Sequence, residues 1–113
     1  MVVEVTKENF EKEVIHSEVP VIIDFWSQSC RPCKMLAPVF EEISSSYKGK
    51  LKFAKMNAQE NLDIAAKFGI MTLPTLVLIN KGKEVDKAFG FAPAGVLKTK
   101  IDIMMERLQA RKT

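Results

Sequence analysis

The chain has 113 residues, 47% hydrophobic and 27% charged, with a formal net charge of +3 at pH 7. These are the proportions of an ordinary globular domain, and residues 1–113 suffice for one domain that buries roughly two thirds of its unfolded surface. The weak, sign-mixed charge gives no argument for a nucleic-acid partner, and no apolar run approaches the ~20 residues of a membrane span.

Met1-Val2-Val3-Glu4-Val5 has neither a basic start nor a long apolar centre. No secretory leader is expected, and the expected compartment is the reducing cytoplasm. There a cysteine pair is more often catalytic or metal-binding than a structural staple.

Val2 to Val5 reads as a short strand and Thr6 as the N-cap of a helix reaching about Ile15, with Phe10 and Val14 one turn apart. His16, near the end of that helix, reads as a solvated residue rather than a ligand. After Pro20 the near-continuous apolar run Val21 to Trp26 predicts a strand buried on both faces, as in a parallel sheet. From Cys30 to Tyr47 the period becomes helical: Cys33, Leu36, Phe40, Ile43 and Tyr47 recur at spacings of three and four. Pro38 predicts a kink there, because it removes a backbone hydrogen bond one turn back. Lys48-Gly49-Lys50 ends the helix.

Leu51 to Asn57 reads as the next strand, Asn61 to Phe68 as a short helix stopped by Gly69, and Thr75 to Ile79 as a central strand. Asn80-Lys81-Gly82-Lys83 predicts a hairpin turn, and Glu84 to Phe89, with its imperfect alternation, an edge strand. From about Pro93 a last helix sets Leu97, Ile101, Met104, Met105 and Leu108 on one stripe, and Ala110 to Thr113 are expected to fray. The order β-α-β-α-β-α-β-β-α implies an α/β domain whose central sheet is covered on both faces and made mixed by the closing hairpin.

The two cysteines of the chain, Cys30 and Cys33, stand where the buried strand hands over to the helix. As a structural disulfide they would close so short a loop that little unfolded-state entropy is removed. As a zinc site they lack a second ligand pair, since only the distant His16 could join them. A redox dithiol needs two sulfurs close enough to interconvert between thiol and disulfide, and this reading is favoured.

Helix position divides the labour. At the helix N-terminus, unpaired N–H groups and the dipole favour a thiolate, so Cys30 is the expected nucleophile. Cys33 falls on the apolar stripe and is the expected resolving thiol, breaking the mixed disulfide that Cys30 forms. Pro32 suits the first turn, where a missing N–H costs nothing. Resolution requires Cys33 to lose a proton, and Asp24, interrupting an apolar strand on the face of Ile22 and Trp26, is the candidate acceptor. Burial is expected to raise its pKa towards neutrality. Lys55 shares a strand face with Leu51 and Phe53 and is the proposed partner of Asp24. The alternative is a strand-end carboxylate and a lysine that snorkels to water.

Asp24-Phe25-Trp26, the two cysteines followed by Lys34, Pro38, Lys55-Met56-Asn57, Gly69-Ile70, Leu73-Pro74-Thr75, Lys81-Gly82 and Gly90 together give a chain that resembles the thioredoxin family along nearly its whole length. The resemblance implies the thioredoxin fold, a mixed five-stranded sheet flanked on both faces by four helices. It implies a thiol–disulfide oxidoreductase that reduces protein disulfides, recharged by a flavin-dependent reductase and needing no cofactor or metal beyond its redox-active disulfide. It also implies that Pro74 is cis and lies against the cysteines, that the Leu73 backbone pairs with an extended substrate, and that Trp26, Met71, Leu73, Pro74, Gly90 and Phe91 form or border the docking surface beside Arg31 and Pro32. For Met71 and Phe91 a plain packing role competes.

Two positions depart from the family pattern: Arg31 stands where glycine is usual, and Ser29 where many members carry a second tryptophan. Arg31 should stabilise the thiolate and make the pair more oxidising. An oxidase or isomerase direction therefore stays open, as does a binding module with incidental turnover. Ser29 removes apolar docking area.

Overall fold

Strand β2 (Val21–Trp26) is the spine of the molecule, buried along its length up to Phe25. The computed structural model, which describes residues 1–111, surrounds it with β1 (Val2–Glu4), β3 (Lys52–Asn57), β4 (Thr75–Asn80) and β5 (Lys83–Phe89). The sheet order is β1-β3-β2-β4-β5. β1, β3 and β2 run parallel, and β4 and β5 are antiparallel additions. A strand flanked on both sides cannot show one wet face, which is why Val21–Phe25 reads as a continuous apolar run.

Alternation along the strands builds two cores. Ile22, Phe53, Leu76 and Leu78 face helices α1 (Arg31–Ser44) and α3 (Ala94–Arg111), meeting Leu36, Phe40, Leu97 and Ile101. Val21, Ile23, Phe25, Met56 and Val77 face the other way, where α2 (Leu62–Lys67) brings Ala65, its C-cap brings Phe68, and the first helical segment brings Phe10 and Val14. Each fully buried aliphatic or aromatic side chain of these layers contributes roughly 1.5–3 kcal/mol by leaving water. Phe53 ties the first core together, its ring centroid 4.7 Å from Phe40 and 5.6 Å from Tyr47.

The mixed α/β class and the strand order in sequence agree with the expectation, and several boundaries move. The first helical segment is Glu11–Ile15, one wide turn in which the His16 N–H donates to Glu11 O at 2.9 Å. Thr6 is not its N-cap: Asn9 accepts the Thr6 N–H through Oδ1 at 2.7 Å and donates to Glu4 O, so a turn intervenes before the helix. The long helix ends at Ser44 and tightens into a last turn, Ser45–Tyr47. Pro38 lies inside it and the helix continues to Ser44, with Leu36 before the proline and Phe40 after it both packed in the core. The final helix runs to Arg111, beyond the expected fraying point at Ala110; Lys112 and Thr113 lie outside the described residues.

At the hairpin, Lys81 and Gly82 both take positive φ, 53° and 80°, the pairing that lets a two-residue turn follow the twist of β4 and β5. A register shift between Leu78 and Ile79 accounts for the broken alternation of β5.

Candidate active site

The C-terminal end of β2 delivers Trp26 into a loop, Ser27–Ser29, that turns onto the first residue of helix α1. Ser27 is buried and its carbonyl accepts the Cys30 N–H at 3.3 Å, which pins the turn. Cys30 is the N-cap, extended at φ −93° and ψ 108°, and its Sγ accepts the Cys33 N–H at 3.2 Å. A sulfur at that position receives one of the N–H groups that a helix start leaves unpaired, together with the positive end of the helix dipole. Pro32, in the first turn, removes a donor that had no partner there.

Cys30 and Cys33 are joined in a disulfide, with Cα atoms 5.3 Å apart. Their surroundings differ. Cys30 is half-buried, whereas Cys33 is only 3% exposed and points into the layer of Leu36 and Phe40. Arg31 and Pro32 between them are exposed.

Behind Cys33 lies a cavity of about 150 Å³ lined by Asp24, Trp26, Cys33, Lys34, Ala37 and Lys55. It is roomy and polar enough to admit water. Asp24 is 3% exposed, its Oδ1 has no hydrogen-bond partner, and burial raises its pKa to about 7 against the counter-pull of Lys55. Asp24 and Lys55 are register partners on neighbouring parallel strands, so both sit on the α1 face of the sheet as alternation requires. The indole Nε1 of Trp26 is likewise buried without a partner. A buried donor left unpaired costs on the order of 1–3 kcal/mol, and this one borders the same cavity as the unpaired carboxylate.

Three further segments converge on this end of the sheet. Phe25 pairs with Thr75 and Thr75 with Phe89, so the residues just before β4 and just after β5 lie level with the end of β2. The Leu73–Pro74 peptide is cis, and Pro74 O accepts the Gly90 N–H at 2.9 Å. Pro74 is buried and Leu73 half-buried, whereas Met71 is 92% exposed and Phe91 also open to solvent. The packing role weighed for Met71 does not fit that exposure.

Lys34 and Ala37 form cavity walls without being among the expected site residues. Their signal was present: Ala37 lies four residues after Cys33, on the same helix face, and is small enough to leave space. Among the described residues no group of three or more His, Cys, Asp or Glu side chains is arranged to hold a metal ion. His16 stands exposed at the C-cap of the Glu11–Ile15 turn. No helix among the described residues is long and apolar enough to cross a membrane.

Comparison with known proteins agrees with this geometry. The family model described as Thioredoxin matches residues 1–103. The chain is 44% identical over 94 residues to thioredoxin 1 of Nostoc sp., covering 83% of this chain and 88% of the relative. It is 42% identical over 99 residues to a thioredoxin of Chlorobaculum thiosulfatiphilum, covering 88% and 92%. With a thioredoxin of Rickettsia felis the identity is 46% over 86 residues, covering 76% and 82%. The chain therefore belongs to the thioredoxin family, and it is a thiol–disulfide oxidoreductase that reduces protein disulfides.

Proposed function

We propose that the reaction is divided among named residues as follows. In the reduced protein the Cys30 thiolate attacks one sulfur of a substrate disulfide. The substrate S–S bond breaks, its departing sulfur takes a proton, and a mixed disulfide joins Cys30 to the substrate. The Cys33 thiol then passes its proton, through water in the cavity, to the Asp24 carboxylate. The Cys33 thiolate attacks Cys30 Sγ, the mixed disulfide breaks, and the second substrate thiol leaves. Two electrons pass to the substrate and the protein keeps the Cys30–Cys33 disulfide.

The observation that carries this assignment is the asymmetry of the two sulfurs: the helix-start N–H of Cys33 donates to Cys30 Sγ, while Cys33 itself is buried beside an unpaired carboxylate. A carboxyl whose pKa is about 7 can exchange a proton at neutral pH in either direction. Lys55 moderates that value electrostatically, as the lysine opposite Asp24 in register.

The substrate docks over Leu73, Pro74, Met71, Trp26, Gly90 and Phe91, flanked by Arg31 and Pro32, with its extended backbone alongside Leu73. Its partners are proteins carrying accessible disulfides and a flavin-dependent reductase that returns the electrons. The chain acts as a single domain, residues 1–113, in the cytoplasm, and the redox-active disulfide is its only prosthetic element. The relatives named above are thioredoxins by name, so the oxidising direction raised by Arg31 is not favoured, nor is the separate alternative of a passive binding module.

The test is reduction of a disulfide-bonded protein by the chemically reduced chain. Cys30→Ser is expected to abolish reaction. Cys33→Ser is expected to accumulate a covalent mixed disulfide with the substrate. Full turnover by either variant would overturn the division of roles.

A further inference from the structure

Strand β5 ends the sheet, and among the described residues β4 is its one strand neighbour. Its outer backbone edge is therefore unpaired, and helix α3 runs beside it. Between them lies a groove of about 330 Å³ lined by Lys87, Ala88, Phe89, Lys100, Ile103, Met104 and Arg107. The three strand residues are consecutive, so the groove follows the open edge rather than one face of the sheet. The helix residues fall at spacings of three and four, a single face of α3.

The groove carries apolar surface beside its charged side chains. Phe89 is 61% exposed and Ile103 42%. Its charged lining is cationic throughout: Lys87, Lys100 and Arg107, with no acidic residue among the wall. Lys87 reaches Glu84 at 3.6 Å and Arg107 reaches Asp86 at 3.1 Å, while Lys100 has no ion pair among the described residues. Lys100 is thus the cation of the wall left for an incoming acid, and a second copy of this edge, whose groove lining holds no acidic residue, would leave it unmatched.

We propose that the β5–α3 groove docks a partner protein through an extended acidic-apolar segment. The segment adds as a sixth strand to the free edge of β5, its backbone meeting the unpaired N–H and C=O groups there. Side chains two apart in the segment turn towards α3, an apolar one meeting Ile103 and an acidic one meeting Lys100. The site is separate from the disulfide, and a partner held here stays tethered to the chain while its own disulfide reacts, at raised effective concentration.

The experiment titrates the oxidised, ¹⁵N-labelled chain with a short cysteine-free peptide of repeating Val-Val-Glu-Glu, which sets both kinds of side chain on each face of a strand, against the same peptide carrying lysine for glutamate. Expected are amide shifts over residues 85–89 and 100–107, slowed hydrogen exchange along β5, and no binding of the lysine peptide. Lys100→Glu and Ile103→Asp, both at exposed or half-exposed positions of α3, are each expected to weaken the glutamate peptide about fivefold or more. Both should leave reduction of a small disulfide unchanged, which separates this site from the catalytic one. Equal binding of the two peptides, shifts confined to residues 71–74 and 90–91, or self-association through β5 in place of peptide binding would each overturn the proposal.

Discussion

Asp24 and Lys55 face each other in register across β2 and β3, and no ion pair closes between them among the described residues. The carboxylate keeps one oxygen unpaired in a buried cavity, and desolvation outweighs the attraction of the lysine. In the folded chain Asp24 therefore holds its proton up to about pH 7, whereas unfolded it releases the proton near 3.8. Between those values the folded state binds more protons, so raising the pH favours unfolding. The stabilisation is fully present below about pH 4, is lost as pH rises to about 7, and changes no further above that. Urea midpoints measured from pH 4 to 8 should fall for the native chain and stay flat for Asp24→Asn. At pH 8 the variant should be the more stable by on the order of 4 kcal/mol, following about 1.4 kcal/mol for each pH unit between 3.8 and about 7. A native midpoint that rises with pH across this range would contradict the buried-carboxyl account.

The same group should be visible in kinetics. Asp24→Asn removes the proton acceptor while leaving the helix start at Cys30 intact. Stopped-flow measurement is expected to show first attack on the substrate disulfide within about twofold of native at pH 7. Decay of the mixed disulfide should slow by about tenfold or more, within the range for loss of general-base assistance. Equal slowing of both steps would point to a general disturbance of the site instead.

Arg31 is exposed and follows the nucleophile directly. Its charge should stabilise the Cys30 thiolate through water, where screening reduces the effect beyond about 8 Å at physiological salt. Arg31→Gly is expected to leave the Cys30 thiolate less stabilised and to shift the potential towards the reducing side by roughly 10 mV. Both differences should shrink as salt is raised. Titration of the thiolate absorbance and equilibration with glutathione, each at low and high salt, check this; a salt-independent difference would mean that Arg31 acts through conformation.

Much of this site could be read before any coordinates, because strand alternation alone places Asp24 and Lys55 on the face that α1 covers. The helical period likewise assigns Cys33 to the buried stripe and leaves Cys30 at the start. Other features depend on geometry that no local pattern encodes. The open contact between Asp24 and Lys55 depends on interstrand register and side-chain reach. The unpaired Trp26 Nε1 is a property of the cavity wall, and the cavity depends on the small Ala37 one turn beyond Cys33. Thr6 looked like a cap by residue type, yet its N–H goes to Asn9 Oδ1 in a turn that delays the helix, which starts without a side-chain cap. The broken alternation of β5 comes from a register shift opposite Leu78 and Ile79, which only pairing with β4 reveals.

Gly90 links the end of β5 to the substrate side of the site, donating its N–H to Pro74 O at 2.9 Å with φ at 79°. A Cβ added there meets nothing within 4 Å, so a substitution is opposed by backbone conformation alone and not by a clash. Residues with a side chain resist that left-handed region by roughly 1–2 kcal/mol. Gly90→Ala should therefore lower the thermal midpoint by about 4–8 °C, given the usual entropy of unfolding for a domain near this size. If the Gly90–Pro74 contact holds the docking surface, KM for a protein disulfide should rise while the rate with a small-molecule disulfide stays near native. Thermal unfolding and steady-state kinetics on the two substrates read these effects separately. An unchanged midpoint would show that the backbone relaxes out of positive φ, and KM should then report whether the Pro74 contact was lost with it.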